Sequence, residues 1–208
     1  MTYPVRLSGQ LDEQGLNRWR WLVKWLLLIP HFLVLAVLWV VLMVTTPIAG
    51  VAVLVTGRYP RGLFDLNVGI LQWTWRVQFY GFSALGTDRY PPFRIGPDAT
   101  YPATLDVDYP EHLSRGLVLV KWWLLALPHY LVVAVLAGGV GVGHGGLVTL
   151  LVAVAGVVLL VTGRYPRDVF DLVVGLDRWC YRVLAYAALL TDTYPPFRLD
   201  LGGRDPAA

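Results

Sequence analysis

Two long stretches of this chain carry no charge. From Trp25 to Gly57 there are 33 residues without Asp, Glu, Lys or Arg, and from Trp122 to Gly163 there are 42 more. A helix needs only ~20 apolar residues to cross a bilayer core. The other 133 of the 208 residues hold all 31 charges, a density close to the ~25 % of ordinary soluble domains. This distribution excludes a disordered chain, a disulfide scaffold and a plain soluble enzyme domain. It points to an integral membrane protein. The net charge of +3 and pI near 9.1 are small. No dense Lys/Arg stretch suggests nucleic-acid binding. The one cysteine, Cys180, excludes an intrachain disulfide. Flanked by Trp179 and Tyr181, it reads as inert packing, and no metal-ligand spacing occurs. Residues Met1 to Gly15 include Asp12 and Glu13 and no apolar run, unlike a cleavable signal peptide. The first apolar run is therefore expected to be the anchor.

The chain reads as one pattern written twice. Lys24-Trp25 returns as Lys121-Trp122, and Pro30-His31 as Pro128-His129. Val55-Thr56-Gly57-Arg58-Tyr59-Pro60-Arg61 returns as Val161-Thr162-Gly163-Arg164-Tyr165-Pro166-Arg167. Asp65, Gly69, Trp73, Arg76 and Tyr80 return as Asp171, Gly175, Trp179, Arg182 and Tyr186. Thr87-Asp88 and Tyr90-Pro91-Pro92-Phe93-Arg94 return as Thr191-Asp192 and Tyr194-Pro195-Pro196-Phe197-Arg198. Two membrane repeats follow, 1–96 and 101–200, joined by a short linker at Gly96 to Thr100. The second apolar run also contains a glycine-rich insertion, Gly138 to Gly146. A tolerated insertion marks a loop tip, so each apolar run is expected to turn in its middle.

The expected fold class is mainly α. Each repeat would hold a helical hairpin (about 21–56 and 117–162) followed by an amphipathic interfacial helix (about 62–85 and 168–190). Full spanning is the preferred reading, although Pro47–Thr56 is short, so repeat 1 dipping in and returning stays open. Both expected tips, Thr45-Thr46 and Gly138–Gly146, are uncharged, which places every charge, and both termini, on the cytoplasmic side. On a helix, Asp65, Gly69, Trp73, Arg76 and Tyr80 share an arc of about 80°. This polar stripe suits a helix lying in the interface or packed on the hairpin base, with a third spanning helix as the alternative. Alternation around Tyr3–Leu7 and Tyr101–Tyr109, with Phe93–Ile95 and Phe197–Leu199, reads as a few short strands on the cytoplasmic side.

Some residues are candidates for chemistry. Lys24 and Lys121 sit where an arm enters lipid and can snorkel to headgroups. His31 and His129 lie just inside an arm, where ionisable groups are functional candidates. They read either as a proton relay or as histidines bonded to a neighbouring helix. Arg58, Arg61, Arg164 and Arg167 stand beside a helix N-terminus and suit a lipid or phosphate group. The same motif also reads as punctuation, with Gly ending one helix and Pro starting the next. Asp88 and Asp192 are placed to cap a helix or pair with the arginines. No Ser/His/Asp set, nucleotide-binding glycine loop or paired acid/base carboxylate is present, so no enzymatic activity and no cofactor or metal is expected.

From Lys24 to His31, Thr56 to Asp65, Trp73 to Val77 and Thr87 to Phe93, the chain resembles the DUF4389 family, bacterial membrane proteins with a domain of unknown function. The resemblance runs through nearly the whole chain as two copies. It departs at Asp168, where repeat 1 has Gly62, and at the glycine insertion. It implies a location in the bacterial cytoplasmic membrane and supplies no catalytic residues. The expected function is a non-enzymatic, lipid-contacting scaffold or accessory subunit, working as a homo-oligomer or within a larger membrane complex. The alternative is an oligomeric small channel or transporter using His31, His129 and the interfacial arginines.

Overall fold

The computed structural model describes residues 3–13, 15–138 and 146–205. The alternating N-terminal segment forms strand β1 (Val5–Gly9), with Val5 and Leu7 fully buried. Its counterpart forms β2 (Ala103–Val107). The two pair antiparallel with Leu7 opposite Leu105 at the centre. The two other expected strands do not form. Phe93–Ile95 and Phe197–Leu199 are irregular, with bends at Phe93, Ile95 and Phe197, and arginine side chains from a neighbouring helix take the carbonyls of Arg94, Gly96 and Asp200 in and just after them.

The helices of repeat 1 are α1 (Trp21–Leu27), α2 (Ile29–Thr56) and α3 (Arg61–Gly81). Pro30, in the first turn of α2, cannot donate to the preceding turn, and the chain breaks at Leu28 between α1 and α2. α2 stops at Gly57, which adopts φ 73° and donates its N–H to the Val53 carbonyl at 2.8 Å. Only glycine takes that left-handed geometry without a Cβ penalty. Gly163 closes the equivalent helix with φ 70°. In repeat 2, α4 (Arg115–Val120) runs into a π-helical turn (Lys121–Leu125), then come α5 (Leu127–Ala137), α6 (Leu147–Thr162) and α7 (Arg167–Ala187).

This arrangement corrects three expectations. No hairpin turn exists at Thr45-Thr46. α2 is one unbroken helix of 28 residues, about 42 Å long, and it continues through Pro47. Thr45, in its middle, donates to Asn67 on α3 at 2.6 Å, so it is held inside the protein and is no tip. In repeat 2, most of the insertion (139–145) lies outside the described residues. Its flanking glycines meet: a Cβ on Gly146 would strike the Gly138 amide and the Leu136 carbonyl. The chain thus leaves and re-enters at one point, and α5 with α6, of 11 and 16 residues, takes the place that α2 fills. Finally, α3 and α7 are not interfacial helices. They are the centre of the molecule, with 14 of 21 residues of α3 buried. α2 buries 6 of 28.

Contacts recur in pairs across the halves. α3 packs on β2, and α7 on β1. Gln72 donates to the Leu105 carbonyl, and its equivalent Arg178 donates to that of Leu7, each at 2.9 Å. Gly50 on α2 faces Val118 of α4, and its equivalent Gly156 on α6 faces Trp21 of α1. The missing side chain lets these neighbours pack on the helix backbone, where a Cβ would lie 3.1 Å from the Leu189 side chain or 3.2 Å from the Trp21 ring. A quasi-twofold axis therefore passes through the β-ladder near Leu7 and Leu105. The ladder rests on α3 and α7, and these in turn rest on α2, α5 and α6. This gives three layers. The last one is the most apolar: α2 is long and apolar enough to cross a membrane.

Candidate functional site

Each repeat builds the same cluster from the residues both copies retain. In repeat 1, α1 carries Lys24 inward, the one buried residue of that helix. Its Nζ donates to the Thr87 carbonyl at 2.7 Å and pairs with Asp88 at 2.9 Å. The ammonium also sits 4.7 Å above the ring of Tyr80. The other Asp88 oxygen accepts from the Asn17 amide at 2.7 Å, fixing the entry to α1. In repeat 2, Lys121 pairs with Asp192 at 2.7 Å, bonds the Thr191 carbonyl and lies 5.5 Å from the Tyr186 ring. Asp192 in turn accepts from Ser114. Neither lysine snorkels. Both are about 1 % exposed or less, because a buried ammonium is tolerated only with its partners in place. Asp88 and Asp192 pair with these lysines, and the arginines of the Gly-Arg-Tyr-Pro-Arg motif look elsewhere.

The histidines stand beside the lysine clusters in aromatic cages. The Trp73 indole donates to Nδ1 of His31 at 3.0 Å, and the Phe93 ring stacks on the imidazole at 3.9 Å. Tyr90 closes a third side and its hydroxyl bonds the Leu27 carbonyl at 2.9 Å. His129 has the same cage from Trp179, Phe197 and Tyr194. An acceptor Nδ1 fixes the neutral tautomer with the proton on Nε2. Both rings are fully buried. Each histidine is caged within its own repeat, which matches the reading of a histidine bonded to a neighbouring helix and leaves the two apart.

Beyond Asp65, which is exposed, and the half-buried Asp171 and Trp179, the expected polar stripe faces inward, and its arginines grip the residues that follow each Tyr-Pro-Pro-Phe segment. Arg76 is 2 % exposed and donates to the carbonyls of Gly96, at 2.8 Å, and Arg94. Arg182 pairs with Asp200 at 2.6 Å and Asp205 at 3.2 Å. Asp65 and Asp171 form no ion pair among the described residues. The four motif arginines are exposed. Arg61 stacks 3.7 Å over the Tyr109 ring, and Arg167 pairs with Glu13 at 3.2 Å. They stand where α2 and α6 end, at the rim of the apolar layer.

A cavity of about 80 Å³ opens between the central helices, lined in part by Trp39, Thr74, Gln78, Ser83, Asp177 and Cys180. Asp177 is 5 % exposed, and its Oδ2 has no partner. Burial pushes this carboxyl up to about 8, against the pull of the Ser83 hydroxyl and Arg178. Burial likewise drives the Cys180 thiol upward, so it is a protonated packing group. Among the described residues no three His, Cys, Asp or Glu side chains gather to hold a metal ion.

The Lys–Asp pairs escaped the sequence reading, although a signal existed: Lys-Trp and Thr-Asp are kept in both copies, as interacting groups would be. Pro-His and Pro-Phe carry the same signal for the cages. Asp177 had none, since its equivalent is Leu71. Compared with known proteins, the chain matches the family model described as Domain of unknown function (DUF4389) twice, over residues 18–94 and 117–198. No curated protein and no solved structure matches it.

Proposed function

The chain belongs to the DUF4389 family, and from that premise we propose that it is a non-enzymatic integral membrane protein. It acts as a lipid-contacting scaffold or as an accessory subunit of a membrane assembly, in the bacterial cytoplasmic membrane with both termini cytoplasmic. One observation carries the reading. α1 exposes Leu22, Val23, Trp25, Leu26 and Leu27 around almost its whole girth. The same exposure continues along α2 and recurs in α4 to α6. A soluble monomer rarely shows a contiguous apolar patch beyond several hundred Å². Acyl chains satisfy such a surface at no cost, and they need no ligand pocket.

The channel or transporter reading has less support. His31 and His129 have their Nδ1 atoms occupied by indoles and one face stacked on a phenyl ring, and among the described residues Nε2 has no side-chain hydrogen-bond partner to continue a proton path. The test combines fractionation with flux. The protein is expected to stay with membranes through an alkaline wash, and reconstituted liposomes are expected to show no proton current. A current abolished by His31→Ala with His129→Ala would overturn the scaffold reading. Native mass spectrometry with lipids retained reports the stoichiometry and any bound lipid.

A further inference from the structure

The quasi-twofold axis fixes how the apolar layer can meet a bilayer. A line joining two points related by a twofold is perpendicular to that axis. Lys24 and Lys121 are such points, with the same partners in each half. α2 starts about one turn beyond Lys24. At Gly50 it rests on Val118, about one turn before Lys121. In those 22 residues the helix advances about 33 Å, so it covers most of the inter-lysine line. By symmetry, the path of α5 and α6 runs the other way from the Lys121 cluster to Arg18, which stands beside Gly163. Both long apolar paths thus lie across the axis.

Charge then chooses between the two ways of setting the axis in a membrane. With the axis in the membrane plane, α2 would cross, and the β-ladder, through which the axis passes, would lie at the depth of the bilayer centre. That ladder carries Arg6 and the exposed Asp106, with the exposed Asp108 just past its end paired to Arg6 at 2.7 Å, and charges at that depth are expensive. With the axis along the membrane normal, the ladder points to water and the charge-free layer points to lipid. Both rims of that layer, with Arg58 and Arg61 at one end and Arg164 and Arg167 at the other, then reach headgroup level. The exposed face of α2, including Leu33, Val37, Val40, Met43, Val44 and Val51, lies at one depth along its length. A layer one helix thick, ~10 Å, matches the depth reached by helices lying in an interface.

Resting on the membrane reading above, we propose that the protein is embedded from one side only. α2 and the α5–α6 path lie flat in the acyl region of a single leaflet, and the rim arginines meet anionic lipid phosphates. The occupant of the apolar face is therefore one leaflet of an anionic bilayer. The test uses the full chain with Cys180→Ser as background. Arg89→Cys marks the start of α2, since the next residue, Tyr90, bonds the Leu27 carbonyl. Glu111→Cys marks its end, two residues before Leu113, which bonds the Gly57 carbonyl. Sealed membrane vesicles of both orientations are treated with an impermeant maleimide. Flat embedding predicts that both sites label from the same face. Labelling from opposite faces overturns the proposal while leaving a membrane protein, and recovery in the soluble fraction overturns both readings. Spin labels at Val37→Cys, Val44→Cys and Val51→Cys give a second measurement. Equal depths support the flat helix. Depths that step by ~1.5 Å per residue overturn it.

Discussion

Repeat 1 and repeat 2 share a frame and differ in what fills it. The frame is the pair of Lys–Asp clusters with their histidine cages, nearly superimposable in partners and distances. Between them, the first half has one unbroken helix and the second has two that meet at a glycine insertion. In repeat 1 a polar chain links the layers: Thr45 donates to Asn67, and Asn67 donates to the Tyr59 hydroxyl at 2.8 Å. Repeat 2 has Val173 in place of Asn67, and the buried Tyr165 hydroxyl is left without a partner. Repeat 2 adds Asp177 where repeat 1 has Leu71. Duplication thus retained the anchors at the helix ends and let the spans diverge. Helix-end anchors set the position of every layer, whereas the spans between them need only stay apolar.

The largest expected effect breaks an anchor. Removing one partner of a buried ion pair leaves an uncompensated charge and costs ~3–5 kcal/mol. Asp88→Ala should approach that figure, because the Asp88 side chain is 6 % exposed beside a Lys24 at 1 %. Asp192→Ala should cost less, since its carboxylate is 23 % exposed and water reaches it. Thermal unfolding in detergent, followed by Trp fluorescence, checks the order. Equal losses would mean that the two clusters are equally dry.

Asp177 sharpens the comparison through pH. Its folded-state value, about 8, is raised from 3.8 by burial. Stability from the neutral acid is full below about pH 4 and is lost progressively as pH rises toward 8. Asp177→Asn keeps a polar group in the cavity and removes the proton. Its unfolding midpoint should lose most of this slope between pH 5 and 8, as measured in matched buffers. A slope that persists in the variant would place the titrating group elsewhere.

The positions of this frame were legible in the sequence, because both copies keep them, but its pairings were not: Lys24 meets Asp88 where a snorkelling lysine and an arginine partner were expected. Several residues kept in both copies mark a structural position, Lys24 with Asp88, His31 with Phe93 and Gly57 as a helix end, whereas the kept Asp65 and Asp171 form no ion pair among the described residues. The alternation at Tyr3 to Leu7 predicted a strand because one face of a strand is buried, and β1 runs two residues on, from Val5 to Gly9. The fold of the apolar runs was not legible. Leu, Val and Ala satisfy a spanning hairpin, a flat helix and a core equally well by composition. The glycine insertion suggested a turn, but Gly138 and Gly146 meet and close the path. The stripe from Asp65 to Tyr80 was real as an arc. Its direction was not readable, because Arg76 finds carbonyls from a segment 18 to 20 residues on, and burial of a guanidinium by backbone oxygens leaves no periodic trace.

The hydroxyls test a smaller difference between the halves. Tyr59→Phe removes the acceptor of Asn67 and leaves its buried amide unpaired, at a cost of ~1–3 kcal/mol. Tyr165→Phe deletes a hydroxyl that has no partner, so its unfolding midpoint should stay level or rise. A matching loss at Tyr165 would show that its hydroxyl is bonded in solution.

The smallest effect lies at the rim, where the same motif position behaves differently in the two repeats. Arg61 stacks over the Tyr109 ring, while Arg167 pairs with Glu13, with side chains 74 % and 56 % exposed. An exposed pair in water gains little, because solvent screens it and two long side chains must be ordered. Glu13→Gln should therefore lower stability by ~0.5 kcal/mol or less, and added salt should erase the difference, since screening shortens to ~3 Å at 1 M. A ring face holds a guanidinium through its quadrupole as well as through contact, so Tyr109→Leu should leave a deficit that salt does not erase. Unfolding midpoints at low and high salt separate the two. If salt removes the Tyr109 deficit as well, both rim arginines are held by screened charge alone. The difference between the repeats at that position would then disappear.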